Sequence, residues 1–124
     1  MRSNLEQAKE FRKLYRITSS DSKPTRQYQC DLITEEYKEF IDAEGMLYRE
    51  SDRFKEECLK ELADLVYVCY QYAVNMGWDL DRALHLVHLS NLSKLDEDGN
   101  PIYREDGKIL KGPNYKKPNL HSLI

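Results

Sequence analysis

The stretch EEYKE, Glu35–Glu39, places three carboxylates within five residues, in the middle of a segment patterned for burial. Ile33, Tyr37, Phe40, Ile41 and Glu44 recur at helical spacing around it, so the period predicts a long helix over about 26–47. Pro24 is expected to close the preceding loop, ITSSDSKPT, with Thr25 as N-cap. Gly45 weakens the far end, and YRESD follows as a polar turn.

Working outward, residues 4–15 carry Leu5, Ala8, Phe11, Leu14 and Tyr15 on one helical stripe. A third helix is expected from about Asp52 to Met76, with Gly77 as its C-cap. Its stretch LVYVCYQYAV, Leu65–Val74, is apolar nearly all round, which predicts a central position or a subunit contact. Asp79 precedes a fourth helix, about 80–94, with Leu80, Leu84, Val87 and Asn91 on one face. After Lys94 the chain turns rich in Gly, Pro and charge, and IYREDGKIL reads as a hairpin with a two-residue turn at Asp106-Gly107. The expected class is all-α: a bundle of four to five helices with a C-terminal hairpin or extended tail. One domain is expected, with a helical core over about 4–94 and a tail over about 95–124.

Composition narrows the chemistry. The chain of 124 residues has a net charge of −3, which argues against a dedicated nucleic-acid binder. Cys30, Cys58 and Cys69 form no CxxC pair, so neither a zinc site nor a disulfide framework is expected, and a reducing cytoplasm fits. MRSNLEQAKEF lacks the apolar core of a signal peptide. The longest apolar run is about half the ~20 residues that a membrane span needs.

Glu36 and Glu39 are three residues apart, hence one turn apart on one helical face, with Leu32 and Ala43 above and below. Glu35 points further round. ELAD, Glu61–Asp64, repeats the arrangement on the third helix, bordered by Phe54, Leu65 and Val68, with Glu57 one turn before. Two helices joined by a short turn pack antiparallel, which brings the acids together if the register allows. Four converging carboxylates must take up protons or share a cation. Donors that are all hard oxygens select Mg²⁺, with Mn²⁺ as substitute, and Mg²⁺ keeps positions for water and substrate phosphates.

A phosphate chain needs cationic partners too. Asn91 and Lys94 project from the end of the fourth helix, and KILKGPNYKK holds Lys108, Lys111, Lys116 and Lys117 without an acid. Tyr115 is placed to stack on a base or to hydrogen-bond a phosphate. Arg12, Lys13 and Arg16 are weaker candidates of the same kind. His85 and His88 in HLVH lack the Glu-x-x-His of di-iron bundles.

With these residues assembled, EEYKE, then 21 residues, then ELAD resembles the EExxE…ExxD signature of the all-α nucleoside triphosphate pyrophosphohydrolases. These are the MazG-like enzymes, with phosphoribosyl-ATP pyrophosphohydrolase as a relative. HLSNLSKLDEDGNPIYREDGKILKGPNY is similar to one phosphoribosyl-ATP pyrophosphohydrolase-like branch, so the likeness runs over about 26–120. It implies Mg²⁺-dependent hydrolysis of a nucleoside triphosphate to the monophosphate and pyrophosphate, in a homodimer or homotetramer with shared sites. By resemblance Glu36, Glu39, Glu61 and Asp64 match the metal ligands, Glu35 a further acid, and Asn91 and Lys94 an Asn/Lys pair near the phosphates. Lys108, Lys111 and Tyr115 join the substrate-binding set on charge alone. Either Glu35 or Glu39 is placed to activate the attacking water. The rival expectations are a phosphoribosyl-ATP pyrophosphohydrolase and a non-catalytic helical interaction module.

Overall fold

The computed structural model describes residues 2–50 and 52–124. Among these residues the chain forms four α-helices and two short 3₁₀ turns, an all-α bundle. Ser51, in the expected YRESD turn, lies outside the described residues. Contacts divide the chain into two units, Met1–Asp79 and Leu80–Ile124. No helix of the described residues is long and apolar enough to cross a membrane.

The first unit holds α1 (Asn4–Leu14), α2 (Lys23–Arg49) and α3 (Lys55–Met76). Ser3 caps α1, its Oγ accepting from the Glu6 N–H at 3.1 Å. The helix ends on Arg16, a non-glycine residue in the left-handed region at φ 55°. The Ile17 N–H reaches the Arg12 carbonyl at 2.8 Å and the Arg16 N–H reaches Lys13 at 3.2 Å, a Schellman closure. α3 ends the same way on Gly77, φ 75°, with the Trp78 N–H on Ala73 and the Gly77 N–H on Val74. The expected glycine cap is therefore present.

α2 begins earlier than its sequence suggests. Ser22, not Thr25, is the N-cap, and Pro24 lies in the first turn, where its missing N–H costs nothing. The helix also runs through Gly45 to Arg49, since packing along its length outweighs the propensity cost of about 1 kcal/mol for one glycine. α3 is central, packing on both α1 and α2.

Burial is selective. Ala8, Ala43, Cys58, Tyr70 and Ala73 form the apolar core. Leu59, Leu62, Val66 and Tyr67 on α3 remain exposed, Leu59 at 67%. Arg12 is only 3% exposed and, among the described residues, forms no salt bridge with a carboxylate. Its Nε donates to Ser19 Oγ, one terminal nitrogen to the carbonyl and Oε1 of Gln71, and the other to the Thr18 carbonyl and Asn75 Oδ1. Asn75 also bonds both the N–H and the carbonyl of Ser20. The 18–20 loop is thus pinned to α3. Arg12 is structural, which corrects its candidacy as a phosphate ligand.

In the second unit α4 (Leu80–Leu92) is followed by a chain with a single isolated bridge, Tyr103 to Ile109. The hairpin is present, but its loop has three residues. The Gly107 N–H bonds the Arg104 carbonyl at 2.9 Å, the Arg104 N–H bonds the Lys108 carbonyl at 2.8 Å, and Gly107 takes φ 89°, the pattern of a turn closed by a bulge. The tail then returns to the end of α4. The Gly112 N–H meets the Lys94 carbonyl at 2.8 Å, and a Cβ on Gly112 would lie 2.3 Å from the Leu95 carbonyl oxygen. Ser90 Oγ donates to the Lys116 carbonyl, and the Lys116 N–H donates to Ser93 Oγ.

Candidate metal centre

The pairing of α2 with α3 sets the site. Cys58 Sγ lies 3.8 Å from Glu44 Oε2 near the connection between the helices. Further along, Glu39 and Glu36 meet Glu61, and beyond them Gln29 and Gln71 line one cavity. Residue numbers fall on one helix as they rise on the other, the antiparallel hairpin that the short connection predicts.

One carboxylate oxygen each from Glu36, Glu39 and Glu61 lies within 4.8 Å of the others. Glu61 is buried, Glu36 half-buried and Glu39 exposed, so the cluster opens at one side. Glu36 Oε2 and Glu61 Oε2 are sealed from solvent without a hydrogen-bond partner. Burial pushes the Glu36 carboxyl up to about 7, helped by its hydrogen bond with Glu39 and by the charges of Glu39, Asp64 and Glu61. Asp64, one turn after Glu61, is held at 2.8 Å by Lys60, which also reaches Glu61 Oε1 at 3.3 Å. Those acids raise the Lys60 pKa. Glu57 shares a hydrogen bond with Glu61 that raises its own pKa. Glu35, on the same helix, faces solvent.

A cluster of this kind fits a hard divalent cation. Every converging donor is a carboxylate oxygen, and two of these carboxylates, Glu36 and Glu61, each have a buried oxygen with no hydrogen-bond partner. Without a cation, a proton on Glu36 and the Lys60 ammonium offset part of the mutual repulsion of the acids.

The sequence profile of the phosphoribosyl-ATP pyrophosphohydrolase family matches residues 4–91. The chain belongs to that family. It is therefore a member of the MazG-like all-α pyrophosphohydrolase superfamily, whose chemistry is hydrolysis of pyrophosphate linkages. The match takes in α1, the acids and Asn91, and stops before Lys94 and the tail. A comparison with curated proteins finds no match.

Among the sequence-derived candidates, the fold brings together Glu36, Glu39 and Glu61, with Asp64 alongside through Lys60. Asn91, Lys94, Lys108, Lys111 and Tyr115 belong to the second unit. There the Lys111 ammonium sits 4.8 Å above the Tyr115 ring, so those two form a cation–π pair. Lys94 is tied to the tail by its carbonyl. His85 and His88 are exposed on α4. Lys60, which bonds Asp64 and Glu61, is not among the sequence-derived candidates. Its four-residue spacing to Asp64 was the signal that could have found it.

Proposed function

We propose that the protein is a Mg²⁺-dependent pyrophosphohydrolase that cleaves a nucleoside or deoxynucleoside triphosphate to the monophosphate and pyrophosphate. The observation that carries it is the convergence of Glu36, Glu39 and Glu61 with two buried, unpartnered oxygens, in a chain of this family. Glu36, Glu39, Glu61 and Asp64 would hold the ion. Bound Mg²⁺, or Mn²⁺ in its place, supplies charge neutralisation on the phosphate chain and lowers the pKa of water.

The chain's own groups account for the rest. Phosphoryl chemistry asks mainly for positioning and charge balance. Glu39, at the exposed edge of the cluster, and Glu35 beside it are placed to accept a proton from the attacking water. Lys60 holds Asp64 in a fixed direction. Asn91 and Lys94 are proposed as phosphate-side contacts on the resemblance to the family pattern, and Lys108, Lys111 and Tyr115 on the positive charge of the tail alone. The exposed apolar strip Leu59, Leu62 and Val66 favours assembly into a homodimer or homotetramer.

Purified protein with Mg²⁺ should release pyrophosphate from at least one member of a triphosphate panel, and Asp64→Asn should lower that rate by about a hundredfold or more. Full activity in the variant would remove Asp64 from the site. The family description favours a second substrate, phosphoribosyl-ATP. Cleavage of that compound alone would decide for it.

A further inference from the structure

Two helical turns from the acids lies a cavity of about 320 Å³ between α1, α2 and α3, within the range of about 300–1,000 Å³ usual for ligand pockets. Leu32 and Val68 face it, as do the rings of Phe11, Tyr28 and Tyr67. Gln29 also lines it, 3% exposed, with Oε1 buried and lacking any hydrogen-bond partner. Arg12 and Gln71 are at its wall, but the Arg12 N–H groups are spent on Thr18, Ser19, Gln71 and Asn75, and Gln71 Oε1 is held by Arg12. Of the guanidinium and the two amides at the wall, Gln29 is therefore the one left to read a ligand, beside the hydroxyls of Tyr28 and Tyr67.

The position is set by the same register as the acids. Gln29 precedes Glu36 by seven residues and Gln71 follows Asp64 by seven, so both helices place the cavity about 10 Å along the groove from the carboxylates. The sugar and first phosphates of a nucleotide cover such a span. An aromatic, apolar chamber with one unmet amide matches a base: flat, π-faced and edged with N–H groups.

We propose that this cavity is the base pocket, with the Gln29 amide reading the Watson–Crick edge of an unsubstituted nucleobase. The terminal torsion of glutamine is soft, so a small rotation turns Oε1 toward an incoming N–H. The inference rests on the hydrolase function proposed above and sharpens its substrate class. Phosphoribosyl-ATP carries a sugar phosphate on N1 of its adenine, the edge that Gln29 would read. The pocket thus selects free nucleoside triphosphates against it.

The test uses nucleosides without phosphate, in EDTA, so that binding is measured apart from metal and catalysis. Adenosine, guanosine, cytidine and uridine are titrated by NMR against the full chain, each beside its analogue methylated at the Watson–Crick ring nitrogen. At least one natural nucleoside should bind, and its methylated analogue should bind about 10–100-fold more weakly. Gln29→Leu should weaken the natural nucleoside by a similar factor. Leu32→Trp, which fills the cavity, should abolish binding and serves as the deciding variant if Gln29→Leu does not fold. No binding by any nucleoside, or equal binding of natural and methylated forms, overturns the proposal, as does binding unchanged in the folded variants. Triphosphate hydrolysis by a wild type whose nucleoside binding ignores both variants would sink the pocket and spare the hydrolase. Nucleoside binding lost in both, with no triphosphate cleaved by the wild type, would do the reverse.

Discussion

Glu36→Gln should stabilise the metal-free protein at pH 8 and, at the same time, remove its response to Mg²⁺. Most substitutions at a half-buried position destabilise, so the expected sign is unusual and comes from the site. Glu36 ionises at about 7 in the fold against 4.5 for an ordinary glutamate. Between those pH values the unfolded chain has given up its proton while the folded chain keeps it. Stability without metal therefore falls as pH rises from about 4.5 to about 7 and levels off above. The shift from 4.5 to about 7 caps that loss at about 3 kcal/mol, and solvent screening at the open side of the cluster brings it to about 1–2 kcal/mol. Glutamine keeps the shape of the protonated acid and can donate to Glu39 as that acid does, so the variant should regain about that amount at pH 8 and lose the slope. The assay is urea unfolding in EDTA from pH 4.5 to pH 8.5, repeated with Mg²⁺. Wild type should gain about 2–3 kcal/mol when Mg²⁺ reaches a hundred times its Kd, and the variant should gain little. A variant less stable than wild type at pH 8 in EDTA, or one with the full Mg²⁺ gain, would refute the assignment of mutual repulsion relieved by a cation.

Four further outcomes follow from local geometry. Gly77→Ala should cost about 1 kcal/mol, because an L side chain at φ 75° is strained. Arg16→Gly at the matching end of α1 should stabilise by up to about 1 kcal/mol, and thermal melting reads both. Gly112→Ala should release the tail from the end of α4, since its Cβ would collide with the Leu95 carbonyl; faster amide exchange at position 112 and at Lys116 would show it, and unchanged protection would contradict it. Leu62→Glu, on the exposed α3 strip, should shift the protein toward monomer mass in light scattering, and a lone monomer in the wild type would dispose of the interface.

Some of this was legible from residue order alone, and particular residues show why. The three-residue spacing of Glu36 with Glu39, and of Glu61 with Asp64, fixes each pair to one helical face wherever the helix goes. Gly77 announces its own cap, because few other residues take positive φ cheaply. The sequence points to Thr25 as the cap in place of Ser22, since Pro24 reads equally as the end of a loop and as the first turn of a helix. Arg12 looked like a surface cation, and nothing in its neighbours says that Gln71 and Asn75, about sixty positions away, surround it. Gln29 carried no signal at all, because an amide on a polar stretch of helix reads as solvated.

Sequence by itself determined the number and order of the helices, the angular face each presents and the acidic chemistry of the two stripes, because the 3.6-residue period is local. Tertiary structure alone decided the height at which one helix meets the other, and so which oxygens lie within 4.8 Å. It also decided which groups lose their water: that loss raises Glu36, strands Glu61 Oε2 and leaves Gln29 without a partner. Desolvation depends on what packs above a side chain, and residues distant in the chain supply that cover.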